Sequence, residues 1–162
     1  MNKNVYLISP TEINENFYQI LDKVLSYGNV KFFQLRLKKT RLKKLLIIAK
    51  KIKKITYRHK VKFIINDYYE LVSKINADGC HMGQNDCSIK IARKKLKRKI
   101  LGVTCHNSIE FAKKAVASNV TYLAFGSFFK SKLKPKAKKA SFKILREAKK
   151  KFNKPIVVIG GI

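Results

Sequence analysis

Two aspartates, each delivered by the end of a short apolar run, are the residues of this chain best suited to chemistry. Phe63-Ile64-Ile65 runs into Asn66-Asp67, and Gly79-Cys80-His81-Met82 runs into Gly83-Gln84-Asn85-Asp86. Between them, residues 68–75 carry Leu71, Val72 and Ile75 on one side at helical spacing. The pattern is strand, helix, strand. In a right-handed parallel crossover both carboxylates leave the sheet at the same edge. Paired carboxylates are hard oxygen ligands, suited to a Mg²⁺ that also holds substrate phosphates. Either aspartate alone has a plainer reading, as a cap on the helix that follows it. The repetition of the arrangement favours a metal site.

The rest of the chain repeats the same alternation. Val5–Ile8 is a short strand closed by Ser9-Pro10-Thr11, and residues 14–27 carry Phe17, Ile20, Leu21, Val24 and Leu25 at helical spacing up to Gly28. Lys31–Leu37 predicts a second strand in which Gln34, Arg36 and Lys38 share a face. Thr40 is the expected cap of a long helix with Leu42, Leu45, Leu46, Ala49, Ile52 and Ile55 as its apolar stripe. Past the two aspartates, Ser88 opens a helix to Lys97, and Ile100–Thr104 is a strand. Asn107 with Glu110 fits a capping box at the start of a helix to Ser118. Tyr122–Gly126 is a sixth strand, 127–139 a basic loop, Ser141–Phe152 a helix, and Ile156–Ile159 a seventh strand ending in Gly160-Gly161.

Strict alternation with short links implies a parallel sheet covered by helices. Seven strands predict a single domain over residues 1–162, an incomplete TIM (β/α)₈-type barrel lacking the last helix-strand-helix, since an intact barrel takes about 200 residues or more. An open doubly wound sheet fits less well, because no GxGxxG follows the first strand.

Composition narrows the function classes. The chain has 162 residues and is 46% hydrophobic, which fits a packed globular core rather than disorder. No apolar run approaches the roughly 18 residues of a membrane span, and the start, MNKNVYLISP, turns polar at once; a cytoplasmic location is expected. Three cysteines, Cys80, Cys87 and Cys105, make neither a CxxC pair nor a zinc spacing. The balance of 38 basic residues against 9 acidic gives a net charge of +29. Most of the basic residues are lysines on polar helix faces, without the aromatic and Arg interleaving of RNA readers. They read as a solvated exterior that steers anionic substrates inward.

On a barrel the chemistry sits at the C-terminal rim of the strands. That rim receives Gln34, Arg36 and Lys38, then Asn66 and Asp67, then Gln84 and Asp86, then Thr104 and His106, then Ser131 and Lys134 in the basic loop, then Gly160 and Gly161. Cations beside Mg²⁺-binding acids suit a pyrophosphate. A glycine pair suits a second, terminal phosphate. The residues point to two phosphorylated ligands meeting at one metal.

The segments QLRLK (34–38), IIND (64–67), ADGCHMGQND (77–86), LGVTCH (101–106), FGSFFKSKLK (125–134) and IVVIGGI (156–162) resemble, in order and over nearly the whole chain, the signature segments of the thiamine phosphate synthase family. The resemblance implies an enzyme that joins hydroxymethylpyrimidine diphosphate to thiazole phosphate, releasing pyrophosphate with Mg²⁺ assistance. It implies Mg²⁺ on Asp67 and Asp86, pyrophosphate on Arg36, Lys38, Asn66, Thr104 and Lys134, the pyrimidine on Gln34, and thiazole phosphate on Ser131, Gly160 and Gly161. Arg36, Lys38 and Lys134 become the catalytic cations, with Lys134 assisting departure. Leu133 stands where the family has a threonine and cannot donate a hydrogen bond. A chain that stops after the seventh strand is expected to form thiamine phosphate weakly, and a homo-oligomer is one expected state.

Three other readings compete, one of them a non-catalytic remnant of the family, for which Leu133 speaks. A thiazole tautomerase, a barrel relative, would move protons with a histidine at the position of His106; the intact GQND with Asp86 argues for the synthase. A basic nucleic-acid-binding protein would use 130–139, KSKLKPKAKK, for backbone contact. A substrate-covering loop with solvated charge is the reading preferred here, so nucleic acid is not an expected partner.

Overall fold

The computed structural model describes residues 4–83, 88–129 and 139–161. The fold class is the expected α/β one, an incomplete barrel of the TIM type with seven parallel strands in chain order. The chain divides into two compact units, Met1–His81 and Met82–Ile162.

The first unit is built from β1 (Val5–Ile8), α1 (Asn16–Ser26), β2 (Val30–Leu35), α2 (Leu42–Arg58), β3 (Lys62–Asn66), α3 (Tyr69–Lys74) and all but the last residue of β4 (Gly79–Met82). Each strand pairs in parallel with the next, with Phe33 beside Phe63 and Ile65 beside Cys80. The rings of Phe33 and Phe63 stack at 6.3 Å between centroids. Phe63, Ile64 and Ile65 are wholly buried, as befits a parallel strand covered on both faces. Helix α2 covers this sheet with Leu45, Ile48, Ala49, Ile52, Ile55 and Thr56. Each large side chain buried in this way contributes about 1.5–3 kcal/mol.

The second unit follows with α4 (Ile89–Leu96), β5 (Ile100–His106), α5 (Ile109–Ala117), β6 (Tyr122–Phe125), α6 (Phe142–Lys151) and β7 (Ile156–Val158). Strands β5, β6 and β7 are parallel neighbours in that order. Gly102 lies opposite Tyr122, and a Cβ on Gly102 would run into the Tyr122 ring, so glycine makes room for the aromatic. Among the described residues no helix is long and apolar enough to cross a membrane.

Several element ends differ from expectation. The apolar stripe of α2 is rotated: Leu42 is exposed and Leu46 half-buried, while Ile48 and Thr56 are buried. Thr56 is admitted because its hydroxyl donates back to Lys53 O at 3.1 Å. Arg41, not Thr40, occupies the N-cap of α2, with no side-chain cap. At α5 the cap is Ser108, whose Oγ accepts from Phe111 N at 3.2 Å. Asn107 instead accepts from Ser141 N at 3.1 Å, tying the start of α5 to the start of α6. Strand β2 ends at Leu35 rather than Leu37; past it the Arg36 amide donates to the Ser9 hydroxyl and not to a strand carbonyl.

Candidate active site

In the first unit the rim is formed by the chain leaving β1, β2 and β3. Gln34, on β2, is buried, and its Nε2 donates to Tyr6 Oη at 2.9 Å. Tyr6 is itself stacked on Phe32 at 5.4 Å, so the phenol and the amide it accepts from are both fixed. A buried amide needs such a partner to offset its desolvation.

Arg36 and Lys38 do not continue the strand as expected; they lie on the irregular chain beyond it. Leu37 between them is buried and anchors that segment, leaving Arg36 half-buried and Lys38 exposed. Two bonds fix the take-off point: Ser9 N donates to Gln34 O at 2.9 Å, and Arg36 N donates to Ser9 Oγ at 2.9 Å.

At the end of β3, Asn66 is buried and Asp67 is partly exposed. Asp67 has φ 66°, the left-handed region that Asp and Asn tolerate better than other side chains. Its amide donates to His81 O at 2.9 Å, which holds the turn against β4. This turn brings Asp67 Oδ2 to 3.5 Å from Lys38 Nζ. A carboxylate and an ammonium that follow neighbouring strands thus lie within 3.5 Å of each other.

The second unit presents its own rim. Thr104 is half-buried near the end of β5, and His106 closes that strand with φ 50° and an exposed side chain. The His106 carbonyl accepts from Gly126 N at 3.2 Å. After β7, Gly160 and Gly161 have φ 94° and 78°, conformations that favour glycine. A Cβ on Gly160 would also collide with Ser127. The carbonyl of Gly160 accepts from Phe129 N at 3.0 Å, and Ser127 O accepts from Ala140 N at 2.8 Å. The ends of the basic loop are therefore pinned to β7 and to each other.

Asp86, Ser131 and Lys134, and with them the juxtaposition of Asp86 with Asp67, lie outside the described residues. In the first unit the structure brings Lys38 to Asp67, with Gln34, Arg36 and Asn66 on or next to the same two paired strands. It sets Thr104, Gly160 and Gly161 on strand ends of the second.

Sequence reasoning passed over Tyr6 and Ser9. Ser9 carried a usable signal, since it is a polar residue directly after an apolar strand, as Asp67 is. Tyr6 carried none, because a tyrosine inside a four-residue strand reads as packing. Cys105 is buried, its thiol 3.7 Å from Val103 O, and burial pushes its pKa up to about 12. It is a protonated packing residue at neutral pH.

Comparison with known proteins shows the family. The family described as thiamine monophosphate synthase matches residues 5–162. The thiamine-phosphate synthase of Pelagibacter ubique is 57% identical over 162 residues, covering 99% of this chain and 78% of that protein. The thiamine-phosphate synthase of Clostridioides difficile is 38% identical, over 98% of this chain and 76% of its own. Among solved structures, a thiamine phosphate pyrophosphorylase from Pyrococcus furiosus superposes with a TM-score of 0.87 at 24% identity, covering 99% of this chain and 76% of that one, which shows a common fold. The chain belongs to the thiamine monophosphate synthase family.

Proposed function

We propose that this chain acts, as one catalytic domain over residues 1–162, as a thiamine phosphate synthase. It transfers the pyrimidine methylene of hydroxymethylpyrimidine diphosphate to the nitrogen of thiazole phosphate and releases pyrophosphate. The observation that carries the reading is the 3.5 Å approach of Lys38 Nζ to Asp67 Oδ2 at the ends of two adjacent parallel strands. Such a cation and carboxylate suit a ligand that is itself an anion carried with a divalent cation.

The residues present fit Mg²⁺. Asp67 supplies a hard carboxylate oxygen on a partly exposed side chain, and Asp86 is assigned as its counterpart. When bound, Mg²⁺ supplies neutralisation of the departing diphosphate charge. The chain's own residues do the rest. Arg36, Lys38 and Asn66 bind the diphosphate, joined in this reading by Thr104 and Lys134, and Lys134 donates to the leaving group. Gln34, its amide held by Tyr6, orients the pyrimidine ring. Ser131, Gly160 and Gly161 take the thiazole phosphate, where positive-φ glycines let backbone approach an anion closely. The pattern is stabilisation of departing negative charge by fixed cations and dipoles, and it needs no general base.

The test is formation of thiamine phosphate and pyrophosphate from the two substrates by the purified chain. Lys38→Ala and Lys134→Ala should each lower kcat/KM for the diphosphate by about tenfold or more, the worth of a charged hydrogen bond. Unchanged turnover in both would contradict the assignment.

A further inference from the structure

We propose that Ser9 is a positioning residue that sets the backbone of Arg36 for pyrophosphate binding; this rests on the reading of Arg36 given above. In a regular parallel ladder, a residue whose N–H donates to Gln34 O would accept the Arg36 N–H with its own carbonyl. Ser9 makes the first of these bonds, at 2.9 Å. The second is taken over by its side chain: Arg36 N donates to Ser9 Oγ at 2.9 Å. The hydroxyl proton is directed to Pro10 O at 3.0 Å, so the Oγ lone pairs face the amide. The side chain has replaced a main-chain acceptor, and the ladder ends there.

That substitution has a geometric consequence. The β1–β2 pairing stops at Gln34 and the β2–β3 pairing at Leu35, and the next three residues are not strand. They carry Arg36 and Lys38. Among the described residues no carboxylate pairs with Arg36. Lys38 is held towards Asp67. A single hydroxyl just past β1 thereby fixes where both cations begin. Alanine at position 9 would strand the partly buried Arg36 N–H and free the segment to wander. Threonine would keep the acceptor.

The experiment is isothermal titration of inorganic pyrophosphate with Mg²⁺ into the full chain and into Ser9→Ala, Ser9→Thr, Arg36→Ala and the Ser9→Ala/Arg36→Ala double variant, with thermal unfolding alongside. The expected result is a threefold to tenfold weakening in Ser9→Ala, on the order of one lost hydrogen bond. Binding in Ser9→Thr should stay within about twofold of the parent, and Ser9→Ala should add less than about twofold in the Arg36→Ala background. If Arg36→Ala weakens binding but Ser9→Ala does not, or Ser9→Ala costs the same factor with and without Arg36, the role of Ser9 is overturned and Arg36 keeps its assignment. If Arg36→Ala leaves binding intact, the reading of Arg36 itself fails. Should Ser9→Ala not fold, Ser9→Thr against the isosteric Ser9→Val isolates the hydroxyl, and equal affinities in that pair overturn the proposal.

Discussion

The Lys38 ammonium stands 3.5 Å from the Asp67 carboxylate, although the two residues leave different strands and Asp67 must adopt a left-handed backbone to reach it. Lys38 is half exposed, so the pair adds little to stability. Its value lies in placing opposite charges at one strand-end edge. Lys38→Ala should therefore shift the melting temperature by less than about 2 °C. The same substitution should weaken pyrophosphate binding by tenfold or more. A variant that melts early and binds normally would assign the pair to the fold instead.

Asp78 does the opposite job at the start of β4. Its Oδ2 accepts from Lys53 Nζ at 2.9 Å and from Phe63 N at 3.0 Å, and Lys62 Nζ lies 3.3 Å from Oδ1. Burial pushes its carboxyl pKa up, but the Lys53 and Phe63 hydrogen bonds outweigh that and hold it below the ordinary value. A carboxylate depressed in the folded state stabilises above its unfolded pKa, about 4, and loses that contribution as pH falls through the lower folded value. Asp78→Asn should cost about 2 kcal/mol at pH 7, and the gap to the parent should narrow below pH 4. Urea titrations at pH 7 and pH 3.5 read this directly; a gap independent of pH would contradict it.

Ser108 and Asn107 separate two kinds of end contact. Ser108→Ala removes the α5 cap and should cost about 1 kcal/mol. Asn107→Ala leaves the cap but frees the start of α6, so faster amide exchange at Ser141 is expected with a smaller change in global stability. Equal global effects from the two would mean that Asn107 also supports α5.

Gly102→Ala should destabilise the second unit by about 1–3 kcal/mol, because the new methyl meets the Tyr122 ring rather than space. Adding Tyr122→Leu should recover part of that loss. No recovery would place the strain in the backbone rather than against the ring.

Much of this was legible beforehand, for identifiable reasons. Wholly apolar runs such as 63–65 cannot be anything but buried, and Gly28 after the α1 stripe marks a stop on physical grounds. Asn66 and Asp67 stood out because polar residues ended an apolar strand. What the sequence hid were choices between near-equivalent neighbours. Asn107 and Ser108 are both good caps, and only the pull of Ser141 on Asn107 decides between them. Thr40 also caps well in principle, yet α2 starts behind Arg41. The rotation of α2 towards Ile48 and Thr56 depends on the sheet beneath it, which no local period reports. The early end of β2 was hidden for a subtler reason. Alternation of Gln34, Arg36 and Lys38 fits a strand, but on the β1 side a serine hydroxyl takes the Arg36 amide and closes the ladder.

The proposed function requires Asp67 and Asp86 to act on one divalent ion when pyrophosphate binds. Isothermal titration of pyrophosphate into the parent, Asp67→Ala and Asp86→Ala, each with and without Mg²⁺, tests it most directly. Mg²⁺ should tighten binding in the parent by at least about tenfold and do almost nothing in either variant. Full Mg²⁺-dependent affinity in Asp86→Ala would contradict it.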